Sequence, residues 1–200
     1  GFNVVIIDSL INSSEEILEG LKEIFKQEVV NPKNNLYFEE IDLRDLQSLN
    51  KIFLQFKKKQ SPITSVIHCA GLKSVEESVY QPLRYWEINL NSTFNLLSVM
   101  NVHNCNNLVF SSSATIYKTN KNKELTENSF LAPLNPYGNT KFAIEHFLKD
   151  LFNSEPNLWR IANLRYFNPA GAHTSGLIGE SPLNLPTNLF PLIVKVAKKE

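Results

Sequence analysis

Short apolar runs alternate along the whole chain with longer stretches of helical spacing, and that alternation leaves few folds open. Val4–Ile7 is a β-branched run suited to a strand buried on both faces. Ser14–Phe25 follows as a helix, with Ser13 its expected N-cap and Glu15 and Glu16 in the first turn. Leu36–Ile41 repeats the strand pattern, Leu46–Phe56 the helical one, and Ser65–Cys69 (SVIHC) reads as a third short buried strand. A long helix over Leu83–Val102, a strand over Leu108–Ser112, a polar loop including Lys118–Lys123, a helix over Pro136–Phe152 and a strand over Ile161–Tyr166 come next. Such alternation requires crossovers, so the expected fold is α/β, a doubly wound parallel sheet covered on both faces.

Charge and cysteine content narrow the function. The 200 residues carry 20 Lys and Arg against 20 Asp and Glu, so no net field draws the chain to nucleic acid or to an anionic membrane. Cys69 and Cys105 cannot build a disulfide framework, and neither an apolar run of membrane length nor a signal segment is present. The expectation is a reduced, cytoplasmic protein that binds neither membrane nor nucleic acid. His68 reads as a core histidine, and His103, His146 and His173 lack the spacing of a zinc site, so no metal is expected. The chain opens on Gly1 with a strand directly behind it and closes on the amphipathic helix Asn188–Glu200. It is therefore expected to start and stop inside a larger fold.

In doubly wound folds ligands bind outside the carboxyl ends of the strands. Those ends read Asp8, Asp42, Cys69-Ala70-Gly71, Ser111-Ser112-Ser113 and Tyr166-Phe167-Asn168, and all are expected along one edge. An acid at the end of a strand can hydrogen-bond an adenosine ribose, and Asp8 would favour NAD over NADP by repelling a 2′-phosphate; the same residue also suits a turn or cap. Asp42 has the same two readings, its functional one a contact to the adenine edge. Tyr137 and Lys141, in YGNTK, lie four apart at the start of a helix and so on one face. A neighbouring ammonium favours the phenolate, so Tyr137 could take a proton from a hydroxyl; as bare spacing the pair also suits a solvated helix face. Ser113, with Thr115 after it, can hydrogen-bond a substrate oxygen, although a serine run after a strand is equally turn chemistry. From Pro169 to Thr187, Gly171, Gly176, Gly179, Pro182 and Pro186 mark an irregular segment expected to cover the strand edge as a lid.

HCAGLKSVEES, FSSSATIY, NPYGNTK and LRYFNPAGAHTSGLIGESP together resemble the UDP-glucose 4-epimerases, a family of extended short-chain dehydrogenases/reductases, over essentially the whole chain. The resemblance implies a Rossmann-type NAD-binding domain over residues 1–168 and the start of a substrate-binding region over 169–200. It implies interconversion of UDP-galactose and UDP-glucose: tightly bound NAD takes hydride from C4 of the sugar, the 4-ketose turns over, and hydride returns to the opposite face. Carried over to this chain, Tyr137 removes the 4-hydroxyl proton, Ser113 holds the 4-oxygen with Thr115 nearby, and Lys141 holds the nicotinamide ribose and lowers the Tyr137 pKa. Asp8, Asn12 and Ser13 would hold the adenosine side of the cofactor, Asp42 and Leu43 the adenine, and Cys69, Ala70, Gly71, Lys73 and Asn89 the remainder. Phe167 would face the nicotinamide. Asn168, Asn188 and Leu189 would contact the UDP-sugar, with Lys73 near the diphosphate.

The resemblance also implies a homodimer through the Leu83–Val102 and Pro136–Phe152 helices. Cys69, Ser9, Lys118 and Thr187 depart from residues common in the family, and none of them is a proton-transfer group. The glycine-rich pyrophosphate loop and a central first strand would precede Gly1, so the sheet is expected as two open-edged pieces, and the isolated chain is not expected to bind NAD stoichiometrically. Two other readings stay open: a nucleotide-sugar dehydratase or decarboxylase, and an inactive NAD-binding module. The neighbourhood of Ser113 contains no Asp or Glu to eliminate water, and Ser113, Tyr137 and Lys141 are all present.

Overall fold

The structure is a computed structural model that describes residues 2–28, 35–118, 124–179 and 189–198. The elements run β1 (Val4–Asp8), α1 (Glu16–Glu28), β2 (Leu36–Glu40), α2 (Leu46–Lys58), β3 (Ser65–His68), α3 (Val75–Tyr80) and α4 (Pro82–Val102). They continue with β4 (Asn107–Ser113), a single 3-10 turn (Ala114–Ile116), α5 (Pro136–Ser154), β5 (Arg160–Tyr166) and α6 (Leu189–Lys198). All named strand pairs are parallel, as the alternation requires. They form two sheets, β1-β2 and β3-β4-β5, the two-piece arrangement expected from the sequence.

The chain divides into two compact units, residues 1–40 with 168–200, and residues 41–167. In the first, β1 and β2 pair from Val4 against Leu36 to Asp8 against Glu40. The Asp8 carboxylate accepts from the Leu10 amide at 2.7 Å and from the Ser13 hydroxyl at 2.9 Å, shaping the turn after β1. Ser13 is therefore not the cap of α1. The Ser14 hydroxyl instead accepts from the Glu16 amide at 3.2 Å, while the Ser13 hydroxyl is turned toward Asp8.

The second unit holds every buried hydrophobic side chain among the described residues. Its central strand β4 pairs with β3 on one side, Ser65 to Asn107, and with β5 on the other, ending at Ser113 against Tyr166. Edge position corrects one expectation: β1 and β3 are not buried on both faces. Val4 is 43% exposed and Ile67 is 75% exposed, whereas β4 buries Leu108 and Phe110. Helix α2 starts at Asp45, whose carboxylate accepts from the Gln47 and Ser48 amides, and α5 starts at Asn135, which accepts from the Gly138 amide at 2.8 Å ahead of Pro136. Helix α3, which the sequence reading did not include, is a single short helix capped by Ser74. In the Lys118–Lys123 loop residues 119–123 lie outside the described residues, and so do residues 180–187 of the irregular segment.

Candidate active site

Helix α5 and the end of β4 meet where their side chains are smallest. Gly138, in the first turn of α5, stands where a Cβ would come within 2.9 Å of the Thr115 carbonyl and 3.0 Å of Pro133. Its bare backbone lets the helix start press onto the 3-10 turn and brings Tyr137 beside Ser113. Both are buried, Ser113 6% and Tyr137 9% exposed. The Ser113 oxygen accepts from the Thr115 hydroxyl at 3.0 Å and from its amide at 3.2 Å. Tyr137 packs in an apolar cluster with Leu72 and Tyr85, flanked by Ile88.

Lys141, one turn on, is buried with its ammonium 2.8 Å from the Ser111 carbonyl, 4.7 Å from the centre of the Phe110 ring and 5.9 Å from that of Tyr137. One of its three N–H donors is thus spent on the strand. Burial pulls its pKa down to about 8, and the Cys69 thiol acts in the opposite sense. The Tyr137 phenol lies above its ordinary value because burial disfavours the phenolate, while hydrogen bonding with Ser113 works the other way. Burial is the largest influence on the Tyr137 phenol in the folded chain.

The remaining sequence-singled residues fall into groups. Asn89 is internal: its amide donates to the Leu72 carbonyl and the Thr140 hydroxyl, both at 3.1 Å, and its oxygen accepts from the Leu72 amide at 2.8 Å. Gly71, at φ 144°, passes so close to Asn89 that a Cβ would meet its oxygen at 3.0 Å. Cys69, Ala70 and Lys73 are exposed on the same loop after β3, and Phe167, 69% exposed, follows the Tyr166 that pairs with Ser113. At the β2–α2 turn Arg44 forks onto Asp42, which holds the Asp42 carboxyl below its usual range. Asn95 of α4 fixes the same turn through the Leu43 and Arg44 carbonyls. Asp8, Asn12, Ser13, Asn168 and Leu189 belong to the other unit, and Asn188 lies outside the described residues.

His68 is a core residue: its Nε2 donates to the Thr93 hydroxyl at 2.9 Å, which itself donates to the Asn89 carbonyl, and burial drives its pKa down to about 3. The sequence reading missed the ion pair of Glu145 on α5 with Arg165 on β5, which closes at 2.7 Å. The i+4 step from Lys141 to Glu145 was its one local signal. Among the described residues no set of three or more His, Cys, Asp or Glu could hold a metal ion, and no helix is long and apolar enough to cross a membrane.

A buried serine at a strand end with a Tyr and a Lys one turn apart on the following helix, set in parallel α/β layers, is a group of side chains that can exchange a proton with an oxygen placed beside them. Comparison with known proteins makes this specific. Residues 1–200 match the NAD dependent epimerase/dehydratase family, and the chain belongs to it. It is 48% identical over 197 residues to UDP-glucose 4-epimerase 1 of Oryza sativa subsp. japonica, covering 98% of this chain and 53% of that protein. Against the bifunctional UDP-glucose 4-epimerase and UDP-xylose 4-epimerase 1 of Pisum sativum it is 46% identical, covering 98% and 54%. The crystal structure of UDP-glucose 4-epimerase from Bifidobacterium longum, in complex with NAD+ and UDP, is similar with a TM-score of 0.87 at 41% identity, covering 99% of this chain and 56% of that one. The chain spans about half the length of the curated relatives it matches.

Proposed function

We propose that the protein carrying this chain interconverts UDP-galactose and UDP-glucose by transient NAD-dependent oxidation at C4 of the sugar. The observation that carries the reading is the convergence of Ser113, Tyr137 and Lys141 at one buried strand end, with Ala114 and Thr115 rather than an acid beside the serine. An acid there would suit elimination of water, so simple return of the hydride is favoured over dehydration. The names of its relatives support the same substrate class.

The donor set fits a nicotinamide nucleotide. Lys141 is buried with two ammonium donors beyond the one held by Ser111, as gripping a ribose diol requires. When bound, NAD supplies the hydride acceptor and, on the return, the hydride donor. Ser113 holds the 4-oxygen of the sugar, with the Thr115 hydroxyl orienting the serine from behind. Tyr137 takes the 4-hydroxyl proton and gives it back on the other stereochemical course. Burial raises its pKa, so a cation is needed beside it, and Lys141 with the positive charge of the cofactor would provide that. Asp8, Asn12, Ser13, Asp42, Leu43, Cys69, Ala70, Gly71, Lys73, Asn89 and Phe167 are proposed for the cofactor, and Lys73, Asn168, Asn188 and Leu189 for the UDP-sugar. The proposed domain division is 1–168 and 169–200.

A cytoplasmic homodimer fits the same reading. Trp86, Phe94 and Phe147 are each 38% exposed on α4 and α5, and Phe94 meets Phe147 edge-to-face at 4.9 Å. The decisive experiment gives UDP-galactose to the full-length protein, completed to the span of its relatives, and follows UDP-glucose. Interconversion without added reductant, falling about 10²- to 10⁴-fold in Tyr137→Phe, is the expected result. Bound NAD with no interconversion would move the assignment to a dehydratase, decarboxylase or silent module.

A further inference from the structure

The guanidinium of Arg165 on β5 forks onto Glu145 of α5, with Nε 3.0 Å from Oε1 and Nη2 2.7 Å from Oε2. Its remaining nitrogen, Nη1, donates to the Tyr117 hydroxyl at 2.9 Å and to the Glu127 carbonyl at 3.0 Å. The pair is sheltered, the Glu145 side chain 6% and the Arg165 side chain 20% exposed. Each partner belongs to a backbone segment that carries part of the proton-transfer site. Glu145 lies one turn beyond Lys141 and two beyond Tyr137. Arg165 is in register with Ser112, the neighbour of Ser113. Tyr117 closes the 3-10 turn through its amide to the Ala114 carbonyl, and that turn holds Thr115 against Ser113.

We infer that Arg165 is a positioning residue: joined to Glu145 and Tyr117, it sets the separation between the start of α5 and the Ser113–Thr115 turn, and so the alignment of Tyr137 with Ser113. The inference rests on the reading of Tyr137 as the proton acceptor. A bidentate fork holds both distance and angle, which an ammonium in the same place cannot do. Charge neutrality is a separate matter, since an unpaired Glu145 would unfold the unit for reasons unrelated to alignment.

The test uses Arg165→Lys, and a double variant Arg165→Met with Glu145→Met that leaves no unpaired buried charge, both in the full-length protein and both repeated in a Tyr137→Phe background. Lys141, and the Tyr85 and Glu77 side chains behind the Tyr137 cluster, are unchanged throughout. Expected is a fall in kcat of about tenfold to a hundredfold with little change in KM, and no further fall in the Tyr137→Phe background. An ultraviolet difference titration against Tyr137→Phe follows the phenol itself. Its pKa rises in both variants, because the hydrogen bonding with Ser113 that favours the phenolate is loosened. A kcat loss that multiplies with Tyr137→Phe, or kcat and phenol titration both unchanged, would overturn the inference. Should the parent protein show no epimerisation, the functional reading fails on its own, and the phenol titration alone decides Arg165: a rise supports the clamp, no rise overturns it.

Discussion

Helices α1 and α6 bury no residue, whereas α2, α4 and α5 bury among their hydrophobic residues Leu49, Ile52, Phe53, Phe56, Tyr85, Leu96, Leu97, Val99, Met100, Tyr137, Ile144 and Leu148. Helix α2 is as strongly amphipathic as α1 and α6 and differs from them in what its apolar face meets, whereas α4 and α5 are more weakly amphipathic and bury residues on several sides. Unit 41–167 has a three-stranded sheet with a central strand to cover, and unit 1–40 with 168–200 has only a two-stranded one. Amphipathic patterning states that a helix face suits a partner, and tertiary packing supplies most of a helix's stability. Ser113, Tyr137 and Lys141, the residues proposed for proton transfer, stand in the unit that holds the buried core.

Substitutions can break or sharpen this contrast. The largest effect is expected from Phe110→Ala at the fully buried centre of β4, which should cost about 3–5 kcal/mol in chemical denaturation, against a change within about 0.5 kcal/mol for Ile193→Ala on the exposed face of α6. Equal losses would erase the distinction between the units.

Lys141→Met comes next, and it should stabilise while abolishing activity. The folded pKa of Lys141, about 8, lies below its unfolded 10.5, so between those values the unfolded chain holds the extra proton and stability rises with pH. The cost of burying the ammonium is therefore present in full below about pH 8. Removing it should gain at most about 3 kcal/mol there, with the denaturation curves of variant and parent converging above pH 10.5. A gain independent of pH would show that Lys141 is held by something other than its charge.

Two glycines make a closer comparison. Gly138→Ala would drive a Cβ into the Thr115 carbonyl, and Gly20→Ala would drive one to 2.8 Å from the Leu177 carbonyl. About 1–3 kcal/mol of destabilisation is expected in chemical denaturation at both positions, because in each the new Cβ meets a backbone carbonyl oxygen, with the loss at Gly138 falling on the unit that holds the buried core. Smallest is the difference between caps: Asn135→Ala should cost about 1 kcal/mol and Ser14→Ala a few tenths, read by amide exchange at the starts of α5 and α1.

Periodicity made the parallel α/β order and most helix spans legible, and the spacing of Tyr137 and Lys141 placed both on one helix face. What stayed hidden depended on neighbours remote in sequence. The exposure of Ile67 follows from β3 lying at an edge, which no local pattern states. Arg165 and Glu145 are 20 residues apart and meet only because β5 returns beside β4 under α5. Asn89 enters as a cofactor candidate only through the family resemblance, and no local pattern states that its amide donates to Leu72 and Thr140. Helix α3 was missed because six residues, VEESVY, are too few for a helical period to declare itself. The Tyr137 pKa direction needed the burial of the phenol, which is a property of the packed cluster rather than of the Tyr-x-x-x-Lys spacing.

Both tryptophans of the chain, Trp86 and Trp159, stand in the unit of residues 41–167, one 38% exposed on α4 and the other 1% exposed just ahead of β5. Intrinsic indole emission from residues 1–200 thus arises wholly within one unit, while the other carries no indole of its own.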